Sequence, residues 1–280
     1  MKTKTLLVAL LLTGFVWSSC KKNPLGSELP KPTATNIEVG TSNNKRGIIG
    51  ADFHLNADIL AGDKIALVKV LIAQKPTETY ASAWKLELSW ESYAGAKNTN
   101  VHRHFTIPAD APKGAYDFYL IVTDQNGTKL EIREDFSLVA ASDLPFNPSF
   151  TFRNVPAEDQ VYKKGDVLTS RFGVNDVKDE GTLSAVLIKS SAKHYPETVS
   201  QIDFTRAINV GTFVADTSPS WGMFTTITIG AEKDLSFPEN QPITGAKAWE
   251  SGKYNFVMFY ENKVHKISIY KSVPIVIDYQ

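Results

Sequence analysis

Phe53-His54-Leu55-Asn56-Ala57-Asp58-Ile59 alternates between apolar and polar side chains without a break. Such alternation is typical of a half-buried β-strand, because successive side chains point to opposite faces of the sheet. Tyr116-Asp117-Phe118-Tyr119-Leu120-Ile121-Val122 follows the same rule apart from Ile121. No segment has a sustained helical period, so the sequence predicts an all-β protein. Further strands are predicted at residues 65–73, 84–90, 101–107 and 129–138.

Turn-forming sequences separate these predicted strands. Asp124-Gln125-Asn126-Gly127 contains Asn-Gly, the strongest short hairpin signal, because both residues tolerate a positive φ angle. Ala61-Gly62-Asp63-Lys64 and residues 108–114 supply further turns. Short strands at such regular spacing are typical of an antiparallel β-sandwich of the immunoglobulin type.

The second half of the chain is a degenerate repeat of the first. Residues 165–172, 183–188 and 251–257 align with residues 50–57, 66–71 and 113–119, and the alternation keeps its phase in each pair. A proline-containing stretch at residues 141–148 separates the halves. We therefore predict two tandem antiparallel immunoglobulin-like β-sandwich domains, at residues 36–140 and 145–280.

The N-terminus has the three parts of a secretory signal peptide, which we predict at residues 1–19. A basic start precedes an apolar run from residue 6 to residue 16, and Trp17-Ser18-Ser19-Cys20 follows. The Ser-Ser-Cys ending resembles the lipobox of bacterial lipoproteins, whose cysteine is acylated, so Cys20 is the predicted lipidation site. Residues 20–35, with three prolines, are predicted to be this lipidated cysteine and its tether. The acyl chains would attach the protein to the membrane.

Charge and cysteine content exclude two classes of partner or site. Lys and Arg together number 30, and Asp and Glu also number 30, so the chain has no basic excess for a nucleic-acid backbone. The single cysteine, Cys20, excludes an intramolecular disulfide and a cysteine-based zinc site. We therefore expect no nucleic-acid partner and a fold that is held by its packed core.

Three of the five histidines fall in the first predicted domain, at His54, His102 and His104. His102 and His104 lie two residues apart, so on a strand they share one face. In an immunoglobulin-like strand order, the strand that carries His54 is their neighbour, and the three imidazoles then converge on one sheet face. The second half has no matching rings, because Thr169 aligns with His54.

This predicted histidine cluster is suited to zinc or copper, because imidazole is a ligand for both ions. We predict Asp117 as the fourth ligand, while Asp52, Asn56 and Asp58 offer further oxygen ligands or hydrogen-bond acceptors. Two other interpretations stay open. The histidines can be surface residues of a polar sheet face, or they can serve pH sensing or ligand binding.

Three stretches of the first half resemble a known family. They are residues 50–59, Val101-His102-Arg103-His104-Phe105-Thr106-Ile107-Pro108-Ala109-Asp110-Ala111-Pro112-Lys113-Gly114-Ala115-Tyr116, and residues 122–127. Over about residues 33–140 the chain is similar to the Bacteroidetes lipoprotein family with domain of unknown function 4625. The resemblance implies an immunoglobulin-like β-sandwich without an assigned activity.

The resemblance also bears on the histidines. His54, His102 and His104 match the histidine positions of the family. Members often carry further histidines in the following strand, where this chain has Asp117 and Tyr119. The resemblance therefore implies a histidine-based site that differs in its remaining ligands.

For the function, we expect a lipid-anchored, non-catalytic binding or interaction module whose partner is an envelope protein or a glycan. The alternative is a metal-binding lipoprotein that uses the histidine cluster. No nucleophile elbow, phosphate loop, dinucleotide fingerprint or His-Glu-x-x-His motif occurs, so we expect no enzyme activity. Surface-exported lipoproteins of this phylum resemble one another in having acidic residues after the cysteine, whereas Lys21-Lys22-Asn23 follows here. We therefore expect an outer-membrane lipoprotein that faces the periplasm rather than the cell surface.

Overall fold

A computed structural model of the chain describes residues 29–215 and 219–280. The predicted signal peptide, Cys20 and most of the predicted tether lie outside these residues. Strands joined by loops and single 3-10 turns make up the described part, so the predicted all-β fold is confirmed. Within it, no helix has the length and apolar character needed to cross a lipid bilayer.

The first half of the chain forms a two-layer sandwich. A three-stranded sheet in the order β1-β3-β6 lies opposite a five-stranded sheet in the order β2-β8-β7-β4-β5. These strands confirm all six strands predicted for this half, within a few residues at their ends. Their bounds are β1 (Thr33–Val39), β2 (Arg46–Ile48), β3 (Asp52–Leu60), β4 (Ile65–Gln74), β5 (Lys85–Trp90), β6 (Asn98–Thr106), β7 (Gly114–Asp124) and β8 (Lys129–Val139).

The second half repeats this arrangement strand by strand. Its sheets have the orders β14-β11-β9 and β10-β16-β15-β12-β13, which match the first half when eight is added to each strand number. The repeat predicted from the aligned sequences is therefore present in the topology. The bounds are β9 (Ser149–Asn154), β10 (Gln160–Lys163), β11 (Val167–Asn175), β12 (Gly181–Lys189), β13 (Ala207–Ala215), β14 (Ser220–Thr228), β15 (Gly252–Asn262) and β16 (Ile267–Asp278).

Strand pairing is antiparallel with one exception in each half. The short edge strand β2 runs parallel to β8, and its counterpart β10 runs parallel to β16. The chain enters each of these edge strands as it crosses from the three-stranded to the five-stranded sheet. The two parallel pairs differ from the purely antiparallel sheets that the sequence predicts.

Each sandwich has its own apolar core, which the alternating residues supply. Phe53, Leu55 and Ala57 of β3 are at most 2% exposed, and Leu168 and Phe172 occupy the aligned positions in β11 with the same burial. Tight packing of such side chains between two sheets is the main source of stability in a sandwich.

A buried tyrosine hydrogen bond also recurs in both halves. The hydroxyl of Tyr116 donates to Pro112 O at 2.7 Å, and the hydroxyl of Tyr254 donates to Glu250 O at 3.1 Å. Each bond reaches back four residues, as in the tyrosine corner of immunoglobulin-like domains.

The two sandwiches contact each other through loops and side chains. Within the described ranges, every strand pairing joins strands of the same half. Arg46 Nη2 donates to His265 O at 3.2 Å and to Lys266 O at 3.1 Å. Gln201 Nε2 donates to the two carboxylate oxygens of Glu38 at 3.0 and 2.8 Å. The Arg46 bonds join β2 to the turn between β15 and β16, and the Gln201–Glu38 bonds bring the loop between β12 and β13 against β1.

Candidate metal centre

The three histidines converge on the outer face of the β1-β3-β6 sheet. In the antiparallel pair β3-β6, His54 lies opposite His104, and Asn56 lies opposite His102. The ring centroids of His54, His102 and His104 form a nearly equilateral triangle with sides of 5.2, 5.4 and 5.3 Å. The convergence predicted from the strand order is therefore present.

A carboxylate from the second sandwich completes the cluster. Glu197 lies in the loop at residues 190–206 between β12 and β13, and its side chain is 4% exposed. Its Oε1 atom is 2.9 Å from His102 Nε2 and 2.6 Å from His104 Nε2. Its Oε2 atom is 2.8 Å from His54 Nδ1. One donor atom from each of these four residues lies within 4.8 Å of the others, a spacing suited to a metal ion.

The cluster changes the proton affinity of its members. Burial alone would raise the pKa of Glu197, but the imidazoles of His102, His54 and His104 hold it well below its usual value. Burial alone would lower the pKa of His54, but the carboxylates of Glu197 and Glu38 raise it to about 9. The pKa of His104 is also raised, because Asp52 and Glu197 outweigh the effect of burial. The negative charge of Glu197 is therefore firmly retained in this site.

Two carboxylates outside the cluster orient its imidazoles. Asp52 Oδ2 lies 2.5 Å from His104 Nδ1, which leaves Nε2 of the same ring facing Glu197. Glu38 Oε2 lies 3.4 Å from His54 Nε2. A histidine that ligates a metal usually contacts a carboxylate or carbonyl through its other ring nitrogen, which fixes the ring orientation. The surroundings of His104 reproduce this carboxylate–histidine arrangement.

The buried imidazole of His54 lies between two carboxylates. The residue is 5% exposed, and Glu197 and Glu38 face its Nδ1 and Nε2 atoms at 2.8 and 3.4 Å, although neither contact has the geometry of a regular hydrogen bond. A metal ion among the four residues would have to displace the proton on the ring nitrogen that binds it.

The structure corrects the predicted fourth ligand. Asp117 lies on β7 of the five-stranded sheet, where its Oδ1 accepts a hydrogen bond from Arg133 Nη2 at 2.7 Å and lies 3.7 Å from Lys75 Nζ. The strands β3 and β6 belong to the opposite sheet. Because the outer faces of the two sheets point away from each other, Asp117 cannot share an ion with the histidines, and Glu197 takes its place.

Glu197 cannot be predicted from patterns within either half alone, because its partners lie in the other half. The loop that carries it has no alternation, and the residue is 95 positions from His102. One signal was available in the repeat itself. The connection between β12 and β13 spans residues 190–206, whereas its counterpart between β4 and β5 spans only residues 75–84. An insertion in one copy of a repeat often carries a site that the other copy lacks.

A fourth histidine lies beside the cluster without joining it. His194 shares a cavity of about 530 Å³ with His54 and His102. Its Nε2 atom accepts a hydrogen bond from the backbone N–H of Asp203 at 2.9 Å, and burial lowers its pKa. His194 is therefore a structural residue of the loop that carries Glu197.

Comparison with known proteins gives weak structural similarity. The chain is similar to dimeric latent PorU from Porphyromonas gingivalis, with 12% identity, a TM-score of 0.36, and 90% of this chain but 21% of that one covered. It is also similar to a tetra-tandem repeat in the extending region of a large adhesion protein, with 9% identity, a TM-score of 0.26, and coverage of 89% and 49%. A third similar structure is that of Salmonella alpha-2-macroglobulin, with 9% identity, a TM-score of 0.27, and 88% of this chain but 15% of that one covered.

The chain thus spans about a fifth of the length of PorU. No curated protein matches it. The sequence of the first half gives a more informative match. Residues 18–139 match the family model of the domain of unknown function DUF4625, which supports the resemblance to that domain.

Proposed function

We propose that this protein is a non-catalytic metal-binding protein that holds one zinc ion with His54, His102, His104 and Glu197. The observation that carries the proposal is the convergence of four donor atoms within 4.8 Å of one another. Three imidazole nitrogens and one carboxylate oxygen are typical zinc ligands, and four protein ligands are typical of a structural rather than a catalytic site. The ion therefore has a structural role in this proposal.

The positions of the ligands indicate what the ion does. His54, His102 and His104 belong to the first sandwich, while Glu197 belongs to the second. A zinc ion bound by all four would join the two sandwiches directly. This joint would fix the surface that they present together, in agreement with the expected role as an interaction module.

The present spacing is compatible with this ion. Zinc binds nitrogen and oxygen at about 2.0–2.1 Å, so the ligand atoms of a tetrahedral site lie ~3.3 Å apart. The carboxylate oxygens of Glu197 now lie 2.6–2.9 Å from the three imidazole nitrogens. All four ligand atoms lie within 4.8 Å of one another, so shifts of about 1–1.5 Å would bring them to this spacing. The imidazoles must lose any extra proton, so zinc and protons compete for them.

Metal content tests the proposal. The chain purified without residues 1–20 is expected to retain about one zinc ion per molecule after dialysis, as measured by inductively coupled plasma mass spectrometry. The double variant His102→Ala/His104→Ala should lose nearly all of it, because two of four ligands are gone. The control His265→Ala, which removes the histidine that pairs with Asp179 away from the cluster, should keep its zinc. If the double variant retained as much zinc as the wild type, this site would be ruled out. If the wild type contained copper instead of zinc, the bound ion would be copper.

We also propose that the protein is a lipid-anchored lipoprotein of the Bacteroidetes type, on the outer membrane and facing the periplasm. The support is the lipobox-like Ser-Ser-Cys sequence and the proline-containing segment that follows it. Palmitate labelling of cells should mark the wild-type protein, and the variant Cys20→Ala should lose the label. Continued labelling of this variant would contradict the anchor.

A further inference from the structure

The outer face of the β9-β11-β14 sheet carries a second candidate site. This sheet is the counterpart of the one that carries the histidines, and its outer face has a cavity of about 460 Å³. The floor of the cavity is formed by Gly173 and Gly222, which lie directly opposite each other in the β11-β14 register. Two glycines at one cross-strand position leave a depression, because neither contributes a side chain.

Close packing requires glycine at only one of these two positions. A Cβ atom at Gly173 would lie 2.3 Å from Trp221 O, so close backbone packing requires glycine there. A Cβ atom at Gly222 would meet only Phe172 O, at 3.8 Å, so packing places no such requirement on Gly222. Glycine inside a strand weakens it and often marks a bulge, a bend, or the close approach of another backbone or a ligand, and the β11-β14 register has no bulge at Gly222. The open space above Gly222 is therefore suited to a bound molecule.

The rim of this cavity is basic and aromatic. Arg153 and Arg171 line it, and neither side chain makes an ion pair or hydrogen bond with any residue of the described ranges. Phe224 lies directly across from Arg171 in the register, lines the same cavity and is 67% exposed. Thr151 and Asn175 add polar groups to the wall. The cavity thus combines two guanidinium groups that have no ion-pair partner in the described part of the chain, an exposed aromatic ring and neutral hydrogen-bonding groups.

We propose that this cavity binds an acidic sugar, such as a uronate residue of a glycan. Arg153 and Arg171 would hold the carboxylate, because guanidinium groups pair with carboxylates through two parallel hydrogen bonds. Phe224 offers an apolar ring face to the C–H groups of the sugar, and Thr151 and Asn175 can bond to its hydroxyls. The volume is within the usual range for small-ligand sites.

Each feature of the cavity excludes a simpler ligand. A neutral sugar would leave both guanidinium charges unused, whereas an inorganic anion would make no use of the exposed ring of Phe224. The proposed site shares no residue with the metal centre, and it lies on the second sandwich. Ligand binding at this cavity is therefore expected to be independent of zinc binding, and either proposal can fail without the other.

Isothermal titration calorimetry of the purified protein with trigalacturonate tests this site, and a neutral galactose trimer is the matched ligand. The protein should bind trigalacturonate at least about tenfold more tightly than the neutral trimer. Arg171→Gln should weaken this binding at least about tenfold, because one guanidinium is lost. Gly222→Val should weaken it similarly by filling the floor, while the thermal unfolding midpoint shows that the fold persists.

The exposed arginine variant Arg206→Gln, which changes the same net charge away from the cavity, should bind as the wild type does. Four results would overturn the proposal: no binding of trigalacturonate, equal binding of the neutral trimer, full binding by Gly222→Val, or sulfate binding as tight as that of the uronate. The last result would leave only a general anion site.

Discussion

Zinc at about a thousand times its dissociation constant is expected to raise the free energy of unfolding by about 4 kcal/mol. The reason is that the four ligands come from distant parts of the chain and meet only when both sandwiches are folded and in contact. The unfolded chain cannot assemble His54, His104 and Glu197 around one ion. Urea unfolding followed by tryptophan fluorescence, with zinc and with an excess of chelator, measures this difference.

The variant Glu197→Gln should lose most of the stabilisation by zinc. The substitution removes the anionic ligand and the only ligand that the second sandwich contributes, yet it keeps the size of the side chain. Glu158→Gln, an exposed position in the same sandwich, is the matched control and should respond to zinc as the wild type does. An unchanged zinc effect in Glu197→Gln would show that the ion does not join the two halves.

Lys247→Met is expected to lower the free energy of unfolding by about 3–5 kcal/mol, the second large effect. Lys247 Nζ donates to Asp234 Oδ2 at 2.6 Å, and the two side chains are 6% and 0% exposed. The backbone N–H groups of Ser236 and Gln241 donate to the other oxygen of Asp234. Removing the lysine leaves a buried carboxylate without its counter-charge, which is the costly way to break such a pair. Urea unfolding at neutral pH measures the loss, and the exposed Lys253→Met should change little.

The effect of Lys247→Met should also depend on pH. Burial alone would raise the pKa of Asp234, but Lys247 and the neighbouring donors hold it below its usual value. A carboxyl group whose pKa is lowered by folding stabilises the protein above its unfolded pKa, which is about 3.9. This stabilisation is lost as the pH falls from there through the lower folded pKa. The difference between wild type and variant should therefore shrink in acid, and a constant difference between pH 7 and pH 3 would contradict the assigned pair.

Much of the fold followed from local patterns. The strands β3 and β7 were predictable because alternation is a property of consecutive residues and needs no knowledge of the rest of the chain. The same property placed His102 and His104 on one face. The repeat then predicted the second sandwich, since aligned positions such as Leu55 and Ser170 point the same way.

The position of Asp117 and the presence of Glu197 in the site depend on contacts that alternation does not encode. Alternation shows that Asp117 faces outward, but it does not show to which of two sheets the strand belongs, and this choice decided its role. The position of Glu197 depends on how one sandwich packs against the other. Such packing is set by side chains far apart in sequence, among them Arg46 with the carbonyl of His265 and Gln201 with Glu38.

The loop at residues 190–206 supplies a ligand that an isolated copy of the first sandwich would lack. A fragment that ends at residue 140 would keep three nitrogen donors on an exposed sheet face, and the remaining coordination position would be open to water or to an acidic side chain of another molecule. Duplication within one polypeptide supplies that side chain from the same molecule. An isolated copy would instead be expected to recruit it by self-association or by binding a different protein in a zinc-dependent manner.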